Sequence, residues 1–203
     1  MTFVFSPPLK LESPHKNSIT DGTFYRKSNL ASYVSSDCIS IWNLQNSEPL
    51  LVTTIPSQKP HKFYKSMFID HQTLAVLTTT RRIYLITLKS NNFTISDHFI
   101  EIPLNSLLTS DSEEPTESNV KLYKSIIFFQ KVGKHIFVLT NTCNIFYANL
   151  SLTKIQTRQI KIDSLIIKAQ STSESLFILL ESGRIAEMKM NQFEFFPLPT
   201  TKN

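Results

Sequence analysis

Four stretches of this chain lie on one another without a gap over fifteen residues. They are Leu30–Leu44 (LASYVSSDCISIWNL), Leu74–Leu88 (LAVLTTTRRIYLITL), Ile136–Leu150 (IFVLTNTCNIFYANL) and Leu176–Met190 (LFILLESGRIAEMKM). Each opens on Leu or Ile and closes on Leu or Met. The tenth position is Ile in all four: Ile39, Ile83, Ile145 and Ile185. Between the apolar halves sits a polar group: Ser35-Ser36-Asp37, Thr79-Thr80-Arg81-Arg82, Asn141-Thr142-Cys143-Asn144 and Glu181-Ser182-Gly183-Arg184. An apolar β-branched run, a short polar turn and a second alternating run are what two antiparallel strands require. In the second strand, Ile39 and Ile41, or Ile83 and Leu85, share one face. The first strand of each unit is almost wholly apolar, as befits a strand covered on both faces.

The windows start 44, 62 and 40 residues apart. A period of ~40–45 residues with four strands per unit is the spacing of a β-propeller blade. The long interval contains Thr109–Ser118 (TSDSEEPTES), an acidic stretch broken by Pro115, read as a disordered insertion. Without it the interval matches the others. Further short strands follow each window at Leu50–Ile55, Phe93–Ile102 (with a break), Ile155–Ile162 and Phe193–Leu198. Others precede three of them at Ser66–Ile69, Lys121–Phe129 and Leu165–Lys168. The expected fold is all-β: a divergent WD40-like propeller with blades near 22–56, 63–103, 120–162 and 164–199. The competing architecture is a β-sandwich or barrel, whose half-buried strands also look alike. Seven blades need ~280 residues at ~40 each, so 203 residues imply a partial or open propeller of about four to five blades. Open rings leave unpaired edges that proteins cover or pair, so other protein subunits of a large complex are the expected partners.

Composition narrows the chemistry. Three glycines are too few for dinucleotide-binding or phosphate-cradling loops. No apolar run approaches the ~20 residues of a membrane span, and the first residues lack the pattern of a secretory signal, so a soluble intracellular chain is expected. Asn92-Phe93-Thr94 and Asn149-Leu150-Ser151 match the glycosylation acceptor pattern, but count as chance without such a signal. Cys38 and Cys143 are read as free thiols. The histidines (His15, His61, His71, His98 and His135) show no ligand spacing among themselves or to a cysteine, so no metal site and no cofactor are expected. No nucleophile-elbow pattern occurs, and no catalytic residue or small-molecule substrate is assigned.

Trp42-Asn43 occupies the place of a repeat's Trp-Asp pair, and no Gly-His dipeptide precedes any unit. Cys38–Pro56 (CISIWNLQNSEPLLVTTIP) carries a Pro-Leu step after its turn. Val120–Asn149 (VKLYKSIIFFQKVGKHIFVLTNTCNIFYAN) runs from a basic-aromatic lead-in through a double-aromatic strand to a Phe-Tyr-Ala closing strand. With Ile166–Met190, these stretches resemble the N-terminal propeller of the nucleolar protein eleven / U three protein eight family, a UTP-A subunit of the small-subunit processome. The resemblance implies a non-catalytic scaffold in the nucleolus or nucleus, acting in pre-ribosomal RNA transcription and processing. It implies protein partners, and pre-rRNA or snoRNA as a further partner. Two other readings stay open: a direct RNA-binding propeller, or a scaffold propeller of an unrelated assembly such as a nuclear pore, tethering or transcription complex.

The formal net charge is +5, which favours contact with polyanions without specifying one. Lys59-Pro60-His61-Lys62 leads into Phe63-Tyr64-Lys65, a mixture of cations and aromatics such as RNA contacts use. The plainer reading is a solvated loop with Phe63 plugging the core. Arg81-Arg82 stands on a hairpin tip, where paired guanidinium groups suit phosphate or an acidic partner. Lys59, Lys62, Lys65, Arg81 and Arg82 are thus the candidate contacts. Lys154, Arg158, Lys161 and Lys168 are scattered over strands and turns. Ser110 and Ser112, beside Asp111, Glu113 and Glu114, have the setting of acid-directed phosphorylation.

Overall fold

The computed structural model describes residues 12–45, 48–57, 60–89, 92–102, 126–140, 144–150, 157–162, 164–189 and 195–197. The acidic stretch 109–118, with Ser110 and Ser112, lies outside them, as do Lys59, Cys143 and Lys154. Among the described residues there is no helix, and sixteen strands form four antiparallel sheets. The first sheet holds β1 (Ile19–Tyr25), β2 (Leu30–Ser35), β3 (Cys38–Asn43) and β4 (Leu50–Pro56). The second holds β5 (Phe63–Phe68), β6 (Thr73–Thr78), β7 (Arg82–Lys89) and β8 (Asn92–Glu101). The third holds β9 (Ile126–Val132), β10 (His135–Thr140), β11 (Asn144–Asn149) and β12 (Thr157–Lys161). The fourth holds β13 (Ile166–Ser171), β14 (Ser175–Leu180), β15 (Ile185–Lys189) and β16 (Phe195–Pro197). Each sheet is a meander in chain order, the arrangement of a propeller blade.

The four windows are the middle hairpins, β2–β3, β6–β7, β10–β11 and β14–β15. Their alignment needs one correction. Ile83, Ile145 and Ile185 pair with Leu77, Leu139 and Leu179, six residues back, whereas Ile39 pairs with Val34, five back. The repeat therefore slips by one residue before the first turn. In the second and fourth turns the extra residue is accommodated in the left-handed region, by Arg81 (φ 64°) and Gly183 (φ 77°). Gly183 adopts that conformation without the Cβ clash that other residues meet. β8 runs unbroken through Asn92–Glu101, where the sequence pattern suggested a break.

Directly paired residues in antiparallel strands share a face, so the tenth-position Ile marks one face of every hairpin. Val34, Ile39 and Ile41 of the first sheet pack against Phe68, Leu74, Val76 and Ile86 of the second. On the second sheet's other face, Ala75, Leu77 and Ile83 meet Ile136, Val138 and Phe146 of the third. Phe137, Leu139, Ile145 and Tyr147 of the third then meet Leu176, Ile178 and Met188 of the fourth. Every junction thus joins the Ile face of one sheet to the opposite face of the next. The core lies in these three layers, and β10, buried at all six positions, shows why its sequence has no polar alternation. Among the described residues, no buried apolar cluster joins the fourth sheet to the first.

Candidate interaction surface

The one-way stacking leaves the Ile face of the fourth sheet without a following sheet among the described residues. Ile39, Ile83 and Ile145 are 0–2% exposed, yet Ile185, the same repeat position, is 41% exposed. Its partner Leu179 is 36% exposed, while the corresponding Val34, Leu77 and Leu139 are fully buried. Ile167, in the bulge between β13 and β14, is 58% exposed. The repeat's Ile and its paired neighbour are apolar in all four hairpins and covered in three, while the fourth face also carries Lys168 and Glu187. Burying one such side chain stabilises by roughly 1.5–3 kcal/mol, so the fourth face is an unused source of binding free energy. Exposed apolar clusters of this kind mark interaction sites.

The opposite end is different. Ala31, Ser40 and Trp42 lie on the outer face of the first sheet and are buried, along with Ser35 and Cys38. The lead-in segment of the chain lies over them through His15. The Trp42 indole Nε1–H donates to Ser40 Oγ (2.9 Å), and Ser40 Oγ lies 2.7 Å from His15 Nε2. On the other side of the ring, His15 Nδ1 is 2.7 Å from Ser35 Oγ, which donates to the Asp37 carboxylate. Asp37 also accepts from Lys16 N and Asn17 Nδ2. With Ser35 donating to Asp37, one order of protons runs through the whole chain: Trp42 to Ser40 to His15, then His15 to Ser35 to Asp37. This order requires neutral His15, protonated on Nδ1. Burial holds the His15 pKa below its ordinary value, partly offset by the charge of Asp37. The donated hydrogen bonds, that of Ser35 foremost, hold the Asp37 carboxyl far below the usual carboxylate range. Beyond this anchor, Ile19, Phe24 and Leu51 remain 50%, 54% and 38% exposed.

His15, Asp37 and Cys38 offer three potential metal-ligand atoms within 4.8 Å of one another, with His15 Nδ1 3.2 Å from Cys38 Sγ. Sequence spacing did not reveal this cluster, because 23 residues separate the His from the Cys. Both imidazole nitrogens and both carboxylate oxygens already have hydrogen-bond partners, and burial pushes the Cys38 thiol up. The geometry is that of an anchor for the incoming chain. The second sheet repeats the device: His61 Nδ1 is 2.6 Å from Thr80 Oγ1, and His61 Nε2 is 3.1 Å from Arg82 Nη1. His61 too is held neutral, first by burial and then by the neighbouring Arg82.

The candidate basic contacts do not form one patch. Lys62 is exposed just before β5. Lys65 lies on β5, 3.8 Å from Asp21 and over the Tyr64 ring. Arg82 packs its guanidinium 4.2 Å from the centre of the Phe99 ring. Arg81, read from sequence as a residue of an exposed tip, is only 9% exposed. Its left-handed conformation turns the chain back, and Ile102 N–H donates to its carbonyl. Its Nη1 is buried with no hydrogen-bond partner. Lys168 is exposed on β13, in a different sheet from the rest; Arg158 and Lys161 fall within β12. Phe63 is buried between the first and second sheets.

The inner strands β1, β5, β9 and β13 line a shared groove of about 600 Å³, with Asp21, Lys65, Lys131 and Gln170 among its polar residues. Hydrogen bonds cross it between neighbouring sheets: Asp21 accepts from Ser66 N (2.9 Å), Lys131 Nζ donates to Ile69 O (2.9 Å) and Ser171 Oγ donates to Gln130 (2.9 Å). Its polar groups are thus largely spent on holding sheets together.

No protein-family model matches the chain, and comparison with curated protein sequences finds no match. Solved structures do match. A KlHsv2 variant with loop 6CD replaced by a Gly-Ser linker aligns with 89% of this chain and 51% of its own, at 10% identity and TM-score 0.60. Hsv2 of Kluyveromyces marxianus aligns with 90% of this chain and 49% of its own, at 12% identity and TM-score 0.59. The computationally designed Ika4 protein aligns over 95% of its length and 89% of this chain, at 10% identity and TM-score 0.55. The chain thus spans about half the length of the Hsv2 structures. Identities this low establish the fold and nothing finer. The fold is a β-propeller architecture, represented among the described residues by four blades.

Proposed function

We propose that this protein is a non-catalytic scaffold subunit whose uncovered end face is filled by another protein chain. The observation that carries this reading is Ile185. It is the repeat's own interface residue, made for burial in three blades and left exposed in the fourth. Following the resemblance of Cys38–Pro56, Val120–Asn149 and Ile166–Met190, the assembly is a nucleolar one acting on pre-ribosomal RNA and in small-subunit biogenesis. Dispersal of Lys62, Lys65, Arg81 and Arg82 favours a protein-binding role over a direct RNA-binding one. Mass-spectrometric identification of proteins retained by the tagged full chain tests both halves. Small-subunit processome proteins are the expected companions, and their loss in Ile185→Asp is expected. A companion list without processome proteins overturns the nucleolar assignment. A list unchanged by Ile185→Asp overturns the use of this face.

A further inference from the structure

We infer that β4, the outer edge of the first sheet, accepts a short uncharged strand from another protein as a fifth strand. In every sheet the fourth strand lies at one edge, with no neighbour beyond it among the described residues. Such an edge presents unpaired backbone N–H and C=O groups, and proteins guard it with charge, proline or shortness. Three of the four edges are guarded in these ways. β8 (NFTISDHFIE) contains Asp97 and Glu101, and β12 (TRQIK) contains Arg158 and Lys161. β16 has three residues and ends on Pro197. β4 (LLVTTIP) contains no charged residue. Its apolar side chains also stand in the open, with Leu50 63%, Leu51 38% and Val52 39% exposed. Leu50 pairs with Asn43 and Leu51 with Trp42, so the two leucines lie on opposite faces of the sheet. A partner laid on either face would leave one of them bare. A strand alongside β4 covers both and pairs the backbone as well, which is why the occupant is a strand. Pro49 and Pro56 bound the open run Leu50–Ile55, so the added strand is short, about 20 Å at ~3.3 Å per residue. Apolar or β-branched side chains on both its faces match Leu50, Leu51, Thr53 and Thr54. A second copy of this chain fits less well. β4 is bulged at Val52, near the middle of the run, and antiparallel self-pairing would bring two bulges opposite each other, where the ladder is disrupted. The edge belongs to the first sheet, so this inference stands or falls independently of the Ile185 face.

Titration of the full 203-residue chain with a fluorescein-labelled peptide tests this. The probe has a short core of valine, isoleucine and threonine between paired lysines, which the chain's net charge of +5 repels. In strand addition the main-chain hydrogen bonds give the affinity, so a generic strand suffices. Saturable binding in the micromolar range is expected, with new hydrogen-exchange protection of the chain in Leu50–Pro56. The same peptide with proline at the centre of its core, which removes a ladder donor, should bind at least tenfold more weakly. Leu50→Lys and Val52→Lys should each weaken binding of the first peptide at least tenfold. Both positions are exposed, and a retained thermal transition shows that each variant folds. Should either fail to fold, the proline peptide decides, since it leaves the chain unaltered. Absence of saturable binding overturns the inference, as does binding that the central proline leaves unchanged. Protection in Ser175–Lys189 instead would place the peptide on the fourth sheet and overturn the assignment to β4. Sedimentation velocity separates the remaining occupant: a dimer of the 23.3 kDa chain that Val52→Lys abolishes would make a second copy the added strand, and overturn the strand from another protein.

Discussion

His15 sits in a hydrogen-bond chain between Ser40 and Ser35, where burial disfavours its charged form, and this makes the end of the first sheet sensitive to acid. Protonating the ring removes the Nε2 lone pair that accepts from the Ser40 hydroxyl, whose proton then loses this acceptor. Burial holds the folded-state pKa of His15 below the ordinary 6.5, and it lowers His61 and His135 in the same direction. The unfolded chain then takes up more protons as pH falls, so stability present above about 6.5 is lost as pH drops through the folded-state values. Thermal melts from pH 8 to pH 5 should show this decline, and His15→Gln should flatten part of it. A profile unchanged by that substitution would contradict the proton order. Ser40→Ala leaves the buried Trp42 indole without its acceptor and should cost about 1–3 kcal/mol, measured by denaturant unfolding. None of this was legible in sequence. Searching for ligand spacing or a Gly-His pair passes over a histidine that meets its partners only after the chain has turned back by twenty or more residues. Arg81 was misread for a related reason: a turn signal shows where the chain reverses, but not which side the reversal covers.

The elements were read with uneven success, and the causes are physical. Middle hairpins announced themselves because strands covered on both faces must be apolar throughout, as in β10. The inner strand β1 has the sequence ITDGTFY and alternates between exposed and half-buried. It faces the groove, where polar groups are tolerated, so it carries no hydrophobic signal and was missed. The one-residue slip before the first turn was hidden as well. A period-2 strand shifted by one residue still looks apolar when both its faces are buried. The tenth-position Ile provides a controlled comparison between elements. Ile145→Ala should destabilise by about 2–5 kcal/mol, as large-to-small changes in packed cores do. Ile185→Ala, chemically identical, should change the stability of the purified chain by less than about 0.5 kcal/mol. Equal losses at the two sites would mean that the fourth sheet is covered as fully as the third.

At the scale of the whole molecule, charge and shape point to different partners, and shape has the stronger claim. A net charge of +5 attracts any polyanion, but Lys65 is beside Asp21, Arg82 lies on Phe99 and Arg81 is buried. Binding to structured RNA should therefore match that of an unrelated protein of equal charge and fall steeply with salt. A filter-binding titration with Lys62→Ala and Arg82→Ala checks this; selective binding abolished by either substitution would restore the RNA-binding reading. The sequence made the propeller legible through its period. Which face stays open left one mark in the sequence that the alignment on Ile passed over: two residues on, along the same face, stand Ile41, Leu85 and Tyr147 in the first three hairpins but Glu187 in the fourth. The central claim is thus that one repeated residue is buried at three junctions and uncovered at the last. Thiol labelling of the purified chain tests it: single cysteines at positions 83, 145 and 185 in a Cys38→Ser, Cys143→Ser background, each timed against a maleimide. Positions 83 and 145 should react at least ~100-fold more slowly than position 185, since exposing a core strand requires an opening of a few kcal/mol. Equal protection at all three positions would contradict the account.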